Sequence, residues 1–209
     1  MGNILYSFRR CPYAMRARLA LRSSGITYEH REIVLRDKPA AMLKASPKGT
    51  VPVFITSAET IIDESLDVCF WALEQSDPQG WLSTDRALMR AIIAQNDGPF
   101  KHHLDRYKYA SRYSDDAARG DVDLAHLATA FESIALLEAR LELTPYLMGE
   151  QPSLADIATF PFVRQFANAG PDAWNGAPYP KTQAWLSAWL ASDDFTAIMT
   201  KHPIWAPPS

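Results

Sequence analysis

The chain has 209 residues, enough for one or two domains, and its 47% hydrophobic and 22% charged residues suit a soluble globular protein. A net charge of −3 gives no case for nucleic acid as a main partner, and no uninterrupted apolar run of about 18 residues is present to span a membrane. The two cysteines, Cys11 and Cys69, stand far apart and form no disulfide scaffold, so the reading is a reducing, cytoplasmic compartment.

In chain order, the first residues enter a strand pattern at once (Ile4-Leu5-Tyr6), so no signal peptide is expected. A myristoylation signal would need Ser or Thr at position 6, where Tyr6 stands. A helical pattern follows from Met15 to Ser24, and Gly25 is a good helix stop. Tyr28 to Leu35 reads as a second strand. Pro39 to Lys44 reads as a short helix, and Ser46-Pro47-Lys48-Gly49 as a turn. Val51 to Ile55 and Thr60-Ile61-Ile62 form a hairpin, and a helix runs from Asp63-Glu64-Ser65 to about Gln75. One crossover plus one hairpin predicts a mixed sheet with helices on its faces.

Asp77-Pro78-Gln79-Gly80 is the best linker, and strand signals vanish beyond it. Ser83 to about Lys108 reads as helix with a break near Gly98-Pro99. Leu124, Leu127, Phe131, Ile134, Glu138 and Leu141 keep helical spacing in a helix from about Asp121 to Leu143. Ser153-Leu154-Ala155-Asp156 reads as a capping box with Asp in the usual place of Glu. It opens an apolar helix to about Asn168 that contains Pro161. Lys181 to Ala191 and Asp193 to Met199 are the last two helices. The domains are therefore 1–76, an α/β unit, then a linker over 77–82, then an all-helical unit over 83–209.

The chemistry concentrates at Arg9-Arg10-Cys11-Pro12-Tyr13-Ala14, between the first strand and the first helix. Pro12 suits the first helical position, which makes Cys11 the N-cap with its sulfur toward the free amides of the first turn. Those amides and the helix dipole favour an anion. Thiols so placed titrate at roughly 3.5–7.5 instead of about 8.5, and the thiolate is the reactive form. Arg9, Arg10, Arg16, Arg18 and Arg22 all precede the first acidic residue, Glu29, and any that approach Cys11 favour the thiolate. A dithiol motif would place a second cysteine at position 14, which is Ala14. A mixed disulfide at Cys11 would then be resolved by another thiol molecule. Cys69 lies in an apolar helical run and reads as a core thiol. His102, His103 and His126 lack metal-ligand spacing, so no metal is expected.

On these motifs the chain resembles the glutathione transferases, a thioredoxin-like domain with a mixed four-stranded sheet followed by an all-α domain. Cys-Pro-Tyr-Ala is most similar to the family's cysteine-dependent, omega-like branch. The segment Leu35-Arg36-Asp37-Lys38-Pro39, then Val51-Pro52, then Glu64-Ser65, are similar to that branch's glutathione-contacting regions. The resemblance implies a cis Val51–Pro52 bond, with the Val51 peptide free to pair with an extended ligand backbone. It implies Ser65 on the γ-glutamyl carboxylate, Glu64 on its ammonium and Lys38 on the glycyl carboxylate. Tyr6 and Ser7, ending the first strand, are the fallback support for a glutathione thiolate. Phe100, Tyr107, Tyr109, Tyr113 and Trp205 are candidates for an apolar pocket. The activity implied is a glutathione-dependent thiol transferase or reductase, with glutathione as co-substrate, a small second substrate and a homodimer. The alternatives are a binding or regulatory module of the same fold, and a conjugating or isomerising enzyme.

Overall fold

A computed structural model describes residues 2–116, 118 and 120–207. Contacts divide them into two compact units. One combines the residues up to Trp81 with the segment from Leu190; the other is Leu82–Trp189.

The first unit is built on strands β1 (Asn3–Ser7), β2 (Tyr28–Glu32), β3 (Val53–Ile55) and β4 (Ile61–Ile62). Their order is β2-β1-β3-β4. β1 runs parallel to β2 and antiparallel to β3, which is antiparallel to β4. This is the mixed four-stranded sheet the sequence predicts. Helices α1 (Pro12–Ser23), α2 (Ala40–Ala45) and α3 (Ser65–Gln75) join it. α1 packs on α3 and on a late helix, α10 (Asp193–Ile198). Met15 and Leu19 of α1 and Val68 and Cys69 of α3 are all buried. α1 stops where expected, because Gly25 takes φ +71°, a conformation costly for other residues.

Two strand boundaries differ from the sequence reading. β2 ends at Glu32 and not Leu35, because its partner β1 ends at Ser7; Ile33 N–H makes the last bond, to Ser7 O. β3 begins at Val53 and not Val51, since Pro52 has no N–H for the ladder. The sequence reading also draws one helical domain from 83 to 209. The final segment instead makes its contacts in the sheet unit, where Trp205 N–H donates to Glu32 O at 2.9 Å.

The second unit is helical: α4 (Arg86–Gln95), a π-helical turn (Asn96–Phe100), α5 (Lys101–Lys108), α6 (Leu124–Leu141), α7 (Leu154–Ala169), α8 (Pro171–Asn175) and α9 (Pro180–Ala191, whose last two residues fall in the first unit). α4 starts at Arg86 instead of Ser83 because Asp85 caps it, accepting from Ala87 N–H and Leu88 N–H. The expected break near Gly98-Pro99 is the π turn: Pro99 has no N–H for the regular ladder. Asp123 caps α6 in the same way, so that helix is shorter than the 121–143 expected. α7 is buried nearly all round. α8 was not read from the sequence; Pro171 at its first turn is the signal that marks it.

Two buried carboxylates tie the helices together. Glu138 of α6 accepts from Lys181 N–H, Thr182 N–H and the Thr182 hydroxyl, at 2.9, 2.7 and 2.7 Å. It thereby caps α9 from another helix, which explains a glutamate in an apolar register. Asp156 accepts from Ser153 N–H and hydroxyl, Leu147 N–H and Trp185 Nε1.

Gly170, between α7 and α8, has a packing role. A Cβ there would overlap the hydroxyl of Tyr107, which is buried in α5. Gly170→Ala is expected to destabilise the protein by about 1–3 kcal/mol. An unchanged urea midpoint would contradict this, and Tyr107→Phe in the same background should recover part of the loss.

Candidate active site

The site is assembled at three chain breaks of the sheet unit: the β1–α1 loop, the segment 46–52 before β3, and the start of α3. Cys11 is the N-cap of α1, with Pro12 in the first turn as predicted. The cysteine caps through its backbone: its carbonyl accepts from Met15 N–H at 2.9 Å. Its side chain makes no capping bond. This corrects the expectation that the sulfur faces the helix amides. The Cys11 thiol instead donates toward Val51 O, at 3.7 Å. The Val51–Pro52 bond is cis. Cys11 is partly exposed, and Ala14, where a second thiol of a dithiol motif would stand, is fully buried.

The segment around Val51 also reaches the other predicted residues. Lys38 Nζ lies 3.4 Å from where a Gly49 Cβ would stand, so its side chain crosses the turn beside Val51. Lys48 Nζ donates to Glu64 Oε1 at 2.7 Å and to Asp63 Oδ1 at 3.0 Å. The ordered run from Ser46 to Pro52 thus carries contacts to Cys11, Lys38 and Glu64. Glu64 is the N-cap of α3 and is mostly solvent-exposed. Ser65 opens α3 and is buried, its hydroxyl accepting from Arg16 Nε at 2.9 Å. The hydrogen bonds from Ser46 and Lys48 hold the Asp63 carboxyl below the usual carboxylate range.

The fallback hydroxyls are committed elsewhere. Ser7 Oγ accepts from Arg18 at 2.5 Å, and Tyr6 Oη accepts from Arg31 at 2.6 Å. The candidates for an apolar pocket fall in both units. Trp205 packs edge-on against Tyr6 in the sheet unit, under the Arg31 guanidinium, whereas Phe100 and Tyr107 are core residues of the helical unit.

Sequence reasoning missed what holds the β1–α1 loop. Arg9 is gripped at both ends of its backbone. Its N–H donates to Glu32 Oε1 at 2.7 Å, and its carbonyl accepts from Arg18 at 2.7 Å. Arg18 is buried and also donates to Ser7 Oγ and Phe8 O. Burial lowers its pKa, while the charges of Tyr28, Glu32 and Cys11 support its protonated form. Of the five arginines counted near Cys11, Arg16 goes to Ser65 and Arg22 to Asp194. Arg18 is coupled to Cys11 by charge. No local pattern marks Arg18 or Glu32, because their partners come from other elements.

Glu32 gives the loop a pH dependence. Burial pushes its carboxyl up, but the bonds from His30 and Arg9 N–H outweigh this and leave it below its ordinary 4.5. A carboxyl depressed in the folded state stabilises the protein above its unfolded pKa, and that contribution is lost as pH falls through the folded value. Wild type should therefore exceed Glu32→Gln in stability at neutral pH, with the gap closing below about pH 4. Urea titrations from pH 7 to 3 giving a constant gap would contradict the assignment.

The chain matches two family models: "Glutathione S-transferase, N-terminal domain" over residues 5–80, and "Glutathione S-transferase, C-terminal domain" over residues 90–188. It is 27% identical to glutathione S-transferase U19 of Arabidopsis thaliana over 194 residues, 90% of this chain and 84% of that one. It is also 27% identical to glutathione S-transferase omega-1 of Mus musculus over 164 residues, 77% of this chain and 65% of that one. Among solved structures, the fold is similar to a glutathione transferase homologue from Sulfitobacter with bound glutathione. The TM-score there is 0.77 at 19% identity, covering 94% of this chain and 96% of that one.

Proposed function

The chain belongs to the glutathione S-transferase family, and from that premise we propose that it is a glutathione-dependent thiol transferase of the omega-like kind, with Cys11 as nucleophile. The observation that carries the reading is the partly exposed Cys11 at the start of α1, its sulfur against the Val51 carbonyl.

In this reading the Cys11 thiolate attacks the glutathione sulfur of a mixed disulfide. The bond between the two substrate sulfurs breaks, and the second substrate leaves as a thiolate that takes a proton from water. Cys11 is left in a disulfide with glutathione. The thiolate of a second glutathione attacks the glutathione sulfur of that disulfide. Glutathione disulfide forms and Cys11 departs as thiolate. The charge of Arg18, coupled to Cys11, stabilises that thiolate, which favours its departure.

The Val51 peptide is assigned to the extended backbone of glutathione, with Pro52 shaping its approach. Ser65 and the first amides of α3 are assigned to the γ-glutamyl carboxylate, in the manner of helix N-termini that bind anions. Glu64 is assigned to the ligand ammonium, which would replace or share with the Lys48 ammonium now beside it. Lys38 is assigned to the glycyl carboxylate. Tyr6 and Ser7 keep supporting roles, Ser7 through Arg18. A cytoplasmic location and a homodimer complete the proposal. Among the described residues no helix is long and apolar enough to cross a membrane.

The test is disulfide exchange between glutathione and a small mixed disulfide, catalysed by wild type and Cys11→Ala, beside retention on immobilised glutathione. Cys11→Ala should lose exchange by a factor on the order of 10³ or more, as when a nucleophile is removed. Retention with no exchange in the wild type would favour conjugation or isomerisation. No retention would favour a binding module.

A further inference from the structure

The chain beyond α10 is fastened to β2, which is an edge of the sheet. Ile204 pairs with Glu32 in a parallel bridge, and Trp205 N–H donates to Glu32 O at 2.9 Å. The Trp205 indole donates to Glu29 Oε1 at 3.2 Å and lies 4.4 Å from the Arg31 guanidinium. His202 stacks on His30, ring centres 4.0 Å apart and planes 18° from parallel. Alternate residues of a strand point to opposite faces, so Trp205 is held by the face carrying Glu29 and Arg31, and His202 by the face carrying His30.

The same segment meets the Cys11 loop at Glu32. The Glu32 carbonyl takes the Trp205 N–H, while its carboxylate accepts from Arg9 N–H at 2.7 Å and lies 3.0 Å from His30 Nε2. Trp205 and Cys11 also pack against one apolar cluster that includes Tyr6 and Val51.

The surroundings of His202 are poor in negative charge. A hollow of about 310 Å³ beside it is lined by Arg18 and Arg22 of α1 and by Tyr28 and His30 of β2, and none of its lining residues is acidic. Asp194 of α10 is bonded to Arg22, and Lys201, the neighbour in the chain, is exposed. Burial, then the charges of His30 and Arg18, hold the His202 pKa below its ordinary 6.5, with Glu32 acting the other way. Two neutral imidazoles stack well, whereas two imidazolium ions at that spacing repel.

We propose that residues 200–205 form a pH-operated strap, docked on β2 while His202 is neutral and released when His202 takes a proton, and that release loosens the Cys11 loop. A histidine kept neutral in the docked state takes its proton more readily once free. Docking is therefore fully favoured above about pH 6.5 and weakens as pH falls below it. Release takes Trp205 from the carbonyl of Glu32 and His202 from the ring of His30, so the residue that holds Arg9 N–H loses support on both sides. The strap depends on these contacts and not on the reaction assigned to Cys11.

Hydrogen exchange followed by mass spectrometry on the full chain tests this, comparing wild type with His202→Phe, which keeps a stacking ring and cannot be protonated. Each comparison is made at one pH, so the intrinsic exchange chemistry cancels. At about pH 7.5, well above the ordinary histidine value, the two proteins should exchange alike. At about pH 5, still above the range where Glu32 titrates, wild type should exchange faster in residues 203–207 and in residues 8–11. The expected difference is about fivefold or more, the worth of roughly one net hydrogen bond. Trp205→Ala is the second variant; at pH 7.5 its residues 8–11 should already exchange as fast, relative to wild type, as release predicts. Thermal unfolding of both variants is measured alongside. A strap as well protected in wild type as in His202→Phe at pH 5 overturns the proposal. So does a freed strap with residues 8–11 unchanged, or acid-induced exchange that rises equally in α6 and α7, which marks unfolding of the whole chain.

Discussion

Asp156→Ala is expected to destabilise the protein by about 3–5 kcal/mol, more than any other substitution considered for stability. The carboxyl is fully buried, and four donors converge on it. One is the N–H and another the hydroxyl of Ser153, the N-cap of α7. The third, Leu147 N–H, comes from the loop after α6, and the fourth, Trp185 Nε1, from α9. Burial pushes the carboxyl above its ordinary range, and the four donors hold it back. Truncation to alanine leaves four buried donors unsatisfied and removes a joint among three elements. Asp156→Asn keeps one acceptor oxygen and should lose about half as much. Urea unfolding measures both; a loss below about 1 kcal/mol for alanine would contradict the geometry. Cys11 alkylation in the folded fraction should be unchanged.

Arg18→Met is the second large effect, and the one that joins stability to chemistry. The guanidinium is buried under the β1–α1 loop and donates to Ser7 Oγ, Phe8 O and Arg9 O. Methionine fills similar volume but takes the donor from Ser7 Oγ and Arg9 O, while Phe8 O keeps the Cys11 N–H, a loss of about 2–3 kcal/mol. It also removes the positive charge coupled to Cys11. The alkylation rate of Cys11 against pH should then show its midpoint at higher pH than in wild type. Arg18→Lys restores the charge but not the planar fork, so it should recover the pH midpoint more fully than the stability. A wild-type pH profile in Arg18→Met would show that the residue serves packing alone.

These two residues mark where sequence reading succeeds and where it stops. Ser153 and Asp156 were legible as a pair because a capping box is local, three residues apart. On that basis alone Asp156 is worth on the order of 1 kcal/mol. Its partners Leu147 and Trp185, 9 and 29 residues away, are visible only in the fold. Cys11 and Pro12 were legible for the same reason, since strand, N-cap and first helical turn are consecutive. Arg18 looked like one of five interchangeable arginines. Its burial depends on α1 presenting that face to the β1–α1 loop, and the charge pattern contains no such information. Lys48 read as part of a turn, whereas its contacts to Asp63 and Glu64 arise from the packing of that turn against the start of α3. Glu138 fell in an apolar register without explanation; its partners at Lys181 and Thr182 lie more than 40 residues downstream. The sulfur of Cys11 was expected to face the helix amides, but the packing of the 46–52 segment offers it the Val51 carbonyl.

A single-thiol mechanism at Cys11 can be read out by intact-mass spectrometry with peptide mapping. The chain's other thiol, Cys69, is fully buried, with its sulfur on Arg16 O at 3.3 Å. Ala14 leaves no resolving cysteine in the turn. Incubation with oxidised glutathione should add one glutathionyl group, mapped to Cys11. The adduct should persist without free thiol and disappear when reduced glutathione is added. An adduct on Cys69, a Cys11–Cys69 disulfide, or no adduct at all would contradict the mechanism.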